Sequence, residues 1–179
     1  ATVDTPITPA STLKTGKNGE LVYAVGESAY VMRADSYVIL EAPKPATPLV
    51  SSLKMLAGRL LGVWAAGKPV QIATKTATVG IRGTGAYIEA DPEQTYFCTC
   101  YGVTDVTAND DPESKEMVVA RHHDKPLYIL AKEPPGKNIR SAPFINHTDQ
   151  ELMLIETLVG RQPPFVFPKS DYTGPRRNY

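Results

Sequence analysis

The chain of 179 residues contains two cysteines, Cys98 and Cys100, one residue apart in the stretch YFCTCYG. Two of its three histidines, His122 and His123, follow in ARHHD. Two thiolates and an imidazole are a ligand set for Zn²⁺ or Cu⁺, with Met117 or Asp124 as a candidate fourth ligand. The C-x-C spacing differs from the C-x₂-C of most zinc knuckles. A cysteine nucleophile with a histidine base, oriented by Asp124, is also available, but no oxyanion-hole motif accompanies it. Two buried thiols serving only as small core residues remain an alternative. A disulfide is a further one, strained because same-face positions of a strand lie near the limit of a bridgeable separation.

The strands that carry these residues decide which of them can meet. In a strand, residues two apart share a face. Cys98 and Cys100 then share a face with Tyr96, while Phe97, Thr99 and Tyr101 take the other. His122 and His123 point to opposite faces if their segment is extended, so one of them at most joins the sulfurs without a bulge. Val118, Ala120 and His122 form the more apolar parity set, which favours His122. Two ligands of one ion would place sulfur and imidazole nitrogen roughly 3.3 to 4 Å apart. The third histidine, His147, precedes a predicted helix and reads as a capping or surface residue.

Lysine plus arginine equals aspartate plus glutamate at 19 each, which argues against a nucleic-acid partner. The one basic cluster is Arg176-Arg177. No apolar run reaches the roughly 18 to 20 residues of a membrane span, and LLGVWAAG at 60–67 is the nearest. Sixteen prolines and thirteen glycines point to many short elements. No signal peptide is visible, and the opening ATVDTPITP fits a mature exported chain. Asp110-Asp111 and Glu113 occupy a polar loop and read as solvated. The nine tyrosines fit β surfaces.

The pattern along the chain is mainly β. Residues 1–12 read as an extended arm. Residues 13–133 read as a β domain of short runs rich in Val, Tyr, Ile and Leu, separated by turns such as TGKNG at 15–19. Residues 42–52 read as a loop. SLKMLAGRLLGVWAAGK fits a short helix or a strand pair equally, because Gly58 and Gly62 weaken its helical spacing. QTYFCTCYG, VTDVTA, EMVVARHHD and PLYILA complete the β region. Residues 134–179 form a C-terminal extension with an aperiodic tail. Within it, Thr148 and Glu151 form a capping box for a helix at about 149–159, stopped by Gly160 and Pro163-Pro164. Leu152, Ile155 and Val159 give that helix an apolar stripe, with Leu158 beside it.

The stretch TATVGIRGTGAYIEA at 76–90 resembles the central signature of the FecR domain family, in which a strand runs into a V-G-[IV]-R-G-T turn and on into another strand. TGKNGELVYAVGESAYVMRADSYVIL resembles the opening of that family. The resemblance spans about residues 10–131. It implies an all-β, solenoid-like or sandwich-like domain of short stacked strands. The best-known members are periplasmic parts of transmembrane sensors that relay iron-siderophore uptake to a sigma factor. The chain as read shows no cytoplasmic segment or membrane helix and adds the C-terminal helix. Read without the family, Gly80, Gly83 and Gly85 allow a sharp turn, and Arg82 is either a solvated turn residue or a guanidinium tying loops together. GIRGTG does not match a phosphate-binding loop.

These observations predict an exported or periplasmic binding or scaffold module of FecR type, acting on an envelope protein or assembly and not as an enzyme. A periplasmic Zn- or Cu-binding protein using Cys98, Cys100 and His122 or His123 is the alternative. A thiol enzyme is a weaker one.

Overall fold

The computed structural model describes residues 2–41 and 51–165. Most of the loop read at 42–52, and the aperiodic tail with Arg176-Arg177, lie outside the described residues. Twelve strands precede one helix: β1 (Thr12–Lys14), β2 (Leu21–Val25), β3 (Ser28–Met32), β4 (Tyr37–Glu41), β5 (Ser52–Val63), β6 (Val70–Ala73), β7 (Ala77–Ile81), β8 (Gly85–Ala90), β9 (Gln94–Ala108), β10 (Lys115–Ala120), β11 (Leu127–Leu130), β12 (Ile139–Ser141) and α1 (Asp149–Leu158). The chain is thus mainly β with a C-terminal helix, as the sequence pattern predicts.

Two strands organise the rest. The first half of β5 pairs with β4 and β6, and its second half pairs with β3 and β8. The first half of β9 pairs with β8 and β11, and its second half pairs with β7 and β10. One sheet therefore runs β1-β4-β5-β6-β7-β9-β10 and the other β2-β3-β5-β8-β9-β11-β12, with β5 and β9 in both. The ring β5-β6-β7-β9-β8 closes on itself, which removes the free edges of those strands. Among the described strands only β5 and β6 pair in parallel, so the arrangement is a closed, sandwich-like one and not a solenoid of parallel rungs.

Each shared strand turns from one sheet to the other at a glycine with left-handed backbone. Gly58 has φ +92°, and a Cβ there would stand 2.2 Å from Ser36 Oγ. Gly102 also has φ +92°, and a Cβ there would stand 2.6 Å from the Gly83 carbonyl oxygen. No L side chain fits either place. The segment SLKMLAGRLLGV is accordingly one twelve-residue strand bent at Gly58, neither a helix nor a strand pair. QTYFCTCYG and VTDVTA likewise form one strand of fifteen residues.

A first core fills the space between the sheets, with Leu40, Leu53, Met55, Leu60, Ile72, Val79, Ile88, Phe97 and Ile129 all buried. A second core lies on the outer face of the second sheet. Val31, Leu61, Val63, Tyr87, Tyr96, Cys98 and Cys100 face outward there and are covered by Leu152 and Ile155 of α1. The helix begins at the predicted capping box: Thr148 accepts from the Glu151 amide, and the Glu151 side chain accepts from the Thr148 amide. Gly160, at φ +71°, follows its end. Leu152 and Ile155 are buried and Val159 is partly so, whereas Leu158 is half exposed.

The signature turn at 82–84 joins β7 to β8. Gly83 sits at φ +69°, and a Cβ would come within 2.5 Å of the Ala66 Cα. Gly85 has ordinary backbone but lies against the Tyr101 ring, 2.6 Å from where a Cβ would be. Gly80 needs neither freedom, since a Cβ there meets nothing closer than 3.8 Å. Arg82 is exposed and pairs with Asp105 at 2.9 Å, so it is the solvated turn residue and not a buried tie.

Gly83→Val will destabilise the protein by about 2–4 kcal/mol, because it combines left-handed backbone with a backbone clash. Gly80→Ala will change stability by less than about 0.5 kcal/mol. Urea unfolding of both variants checks the pair. Leu152→Ala will cost about 2–5 kcal/mol, and removal of residues from 148 onward will uncover the second core. Binding of a hydrophobic dye by the truncated protein at native pH is the expected readout.

Candidate functional site

The second core contains every cysteine and histidine of the chain or lies beside it. Cys98 and Cys100 come from β9. His122 and His123 come from the turn after β10, and His147 from the loop entering α1. Cys98, Cys100 and His147 have no exposed surface, and His123 is 8% exposed.

Three local features bring the residues together. The first is a bulge in β9. Gly85 pairs with Tyr101 and Ala86 with Thr99, which leaves Cys100 without a partner on β8. The extra residue lets Cys98 and Cys100 keep the outward face and turns Tyr101 onto that same face, where strict alternation places it opposite. The second is the turn at 121–124. The Asp124 carboxylate accepts from the amides of Arg121 and His122, and the His123 amide donates to the Cys100 carbonyl at 2.9 Å. His123 has φ +54°. The third is the loop into α1. Arg33 donates to the Asn146 carbonyl and to Glu151, and the Asn146 side chain donates to Glu89. These contacts tie the loop to β8 and to the residue that follows β3.

The left-handed residue in the turn decides between the two histidines. It ends the alternation that favours His122 and swings His123 inward instead. His123 Nδ1 lies 3.4 Å from Cys98 Sγ. His122 stays at the rim, its Nε2 2.8 Å from Asp149 Oδ2. Neither candidate fourth ligand takes part: Met117 is 66% exposed and Asp124 is used in closing the turn. The fourth residue is His147, which the sequence assigned to capping or to the surface. Its Nε2 lies 3.2 Å from His123 Nδ1. One ligand atom from each of Cys98, Cys100, His123 and His147 falls within 4.8 Å of all the others. The only sequence signal for His147 was its place just before a capping box, which fixes the helix entrance but not what that entrance touches.

The aromatic surroundings are tight. His147 stacks on Tyr87 with centroids 4.4 Å apart, and His123 stacks on Phe144 at 4.1 Å. Asp149, the first residue of α1, is buried and accepts from both His122 and His123. Although burial alone would raise its pKa, these two hydrogen bonds hold it below the usual carboxylate value. Burial likewise opposes ionisation of Cys98, yet hydrogen bonds from Cys100, His123 and His147 bring its thiol well below the ordinary value. Burial, reinforced by the Cys98 partner, pushes Cys100 well up. Burial lowers His147. For His123 burial also acts downward, but Asp149 and Cys98 outweigh it and raise the imidazole to about 8.

Cys98, His123 and Asp149 are connected as in a thiol-hydrolase triad. The Cys98 residue, however, has no exposed surface. The side chains of Cys98, Cys100, His123 and His147 converge there, one ligand atom of each within 4.8 Å of the others.

No family model matches the chain, and no curated protein matches it. The solved structures do offer likenesses. Two crystal structures of a "putative anti-sigma factor" from Parabacteroides distasonis ATCC 8503, at 2.50 and 1.65 Å, each superpose with a TM-score of 0.57. Sequence identity is 14% and 13%, and the match covers 74% of this chain. It spans 59% of the length of those chains. At that identity the likeness establishes a shared fold.

Thr148→Ala removes the cap that orients the helix bearing Asp149 and will cost about 1 kcal/mol. Thermal unfolding of the variant checks it, with Thr157→Ala, whose hydroxyl bonds only the Met153 carbonyl, as a near-neutral comparison.

Proposed function

We propose that the chain is a FecR-type binding or scaffold module, exported to the periplasm, that joins a protein assembly of the cell envelope. The observation that carries this reading is the agreement of two independent likenesses. The V-G-I-R-G-T turn at 79–84 resembles the signature of domains that relay an outside signal to a sigma factor. The fold is shared with the two crystal structures described as a "putative anti-sigma factor". Both point to regulation through a sigma factor.

The build of the molecule suits binding better than catalysis. Its one connected Cys-His-Asp set is sealed from solvent. No helix among the described residues is long and apolar enough to cross a membrane. β10 pairs only with β9 among the described strands, so its other edge can accept a further strand. Met117 and Val119 stand out from that edge strand, each 66% exposed, while Val118 and Ala120 face inward.

Photo-crosslinking in living cells tests the reading. A crosslinker placed at Met117 or Val119 will capture one discrete envelope protein, and the same group at Val22, an exposed position of β2 in the other sheet, will not. Recovery of the chain from the cytoplasmic fraction alone, with no discrete adduct from either β10 position, would overturn the proposal.

A further inference from the structure

We propose that Cys98, Cys100, His123 and His147 form a closed tetrahedral Zn²⁺ site that fastens the C-terminal helix to the β framework. The spacing fits one ion. Zinc bonds of about 2.3 Å to sulfur and about 2.0–2.1 Å to nitrogen place tetrahedral ligands roughly 3.3–3.8 Å apart. Cys98 Sγ and His123 Nδ1 are 3.4 Å apart, and His123 Nδ1 and His147 Nε2 are 3.2 Å apart. All four donors lie within 4.8 Å of one another.

Hydrogen bonding supplies a second, independent reason. His147 Nδ1 lies 2.7 Å from the Ile145 carbonyl, which can only accept, so Nδ1 carries the proton and Nε2 has a bare lone pair. His123 Nε2 lies 2.9 Å from the Asp149 carboxylate, so Nε2 carries the proton and Nδ1 is bare. The two bare lone pairs then face each other. Without a positive charge between them they repel. A divalent cation relieves this repulsion, and also neutralises two buried thiolates. Each imidazole already has the outer-shell acceptor that zinc-binding histidines commonly have.

The ligand chemistry selects the metal. Two sulfurs and two nitrogens in a tetrahedron suit zinc. No fifth direction opens to solvent, since three of the four residues are fully buried and the fourth nearly so. That is the form of a structural zinc site and not of a catalytic one. The donors come from β9, from the turn after β10 and from the loop before α1. One ion therefore links three segments that are distant in the chain. Entry of Zn²⁺ displaces the thiol protons, so binding releases acid and weakens as pH falls.

The test uses the whole chain. Protein purified without chelator will hold stoichiometric zinc by mass spectrometry of the metal. X-ray absorption at the zinc edge will show two sulfur and two nitrogen neighbours. Replacing zinc by Co²⁺ will give the strong visible bands of tetrahedral cobalt with a thiolate charge-transfer band. Cys98→Ser, Cys100→Ser and His147→Gln will each lose that spectrum, and His122→Gln will keep it. Chelation of the unaltered protein will lower its melting temperature, a readout that stands even if a variant fails to fold. The proposal is overturned if zinc-incubated protein retains no metal. It is equally overturned if His147→Gln leaves the cobalt spectrum unchanged, or if both thiols alkylate at one rate with and without zinc.

Discussion

The structure depends on two bent strands. β5 and β9 each belong to both sheets, and each makes its crossing at a glycine held at φ +92°. Side chains at those two positions would collide with the backbone or side chain of a neighbouring segment, Ser36 in one case and the Gly83-Thr84 turn in the other. The crossings are therefore fixed both by backbone conformation and by close approach. Because both strands cross, the β5-β6-β7-β9-β8 ring closes, and one apolar core can form between the sheets. The V-G-I-R-G-T turn takes its meaning from this: its Gly83 packs on Ala66, and its carbonyl packs on the bend of β9.

Closing the ring leaves the outer face of the second sheet to be covered. That face carries Val31, Leu61, Val63, Tyr87 and Tyr96, and exposing it to water would be costly. The C-terminal segment covers it with Leu152 and Ile155, and is guided there by polar contacts from Arg33, Glu89 and Tyr96. The same segment delivers His147 and Asp149 to the cysteines. The covering of the apolar face and the assembly of the Cys-His cluster are thus one event. Burial in this place raises both thiols and favours a neutral His147, and the hydrogen bonds that Cys98 receives from Cys100, His123 and His147 are what set the two thiols apart.

The described fold shares a framework with the solved structures it resembles. The cluster lies at the junction between the framework and the C-terminal helix. β10 runs directly into the turn that carries His123, so the open edge of β10 and the cluster adjoin at that turn.

The sequence alone determined the class of the fold, the capped helix and the positions of several turns, because these are local. Alternation, a capping box and a glycine-rich turn each act within a few residues. It also marked Cys98, Cys100 and the histidine pair as able to bind a metal, since ligand chemistry belongs to the side chain. It left the 52–63 segment ambiguous, because a helix-like spacing of leucines is indistinguishable from a strand buried first on one side and then on the other. It ranked His122 above His123, because alternation holds only while the backbone stays extended, and His123 at φ +54° ends it. It placed Tyr101 on the wrong face because a bulge at Cys100 requires knowing what β8 does. His147 was legible only as a neighbour of a helix cap. Its meeting with Cys98 and His123 depends on which apolar face α1 covers, and only the tertiary structure decided that, through contacts between residues far apart in the chain.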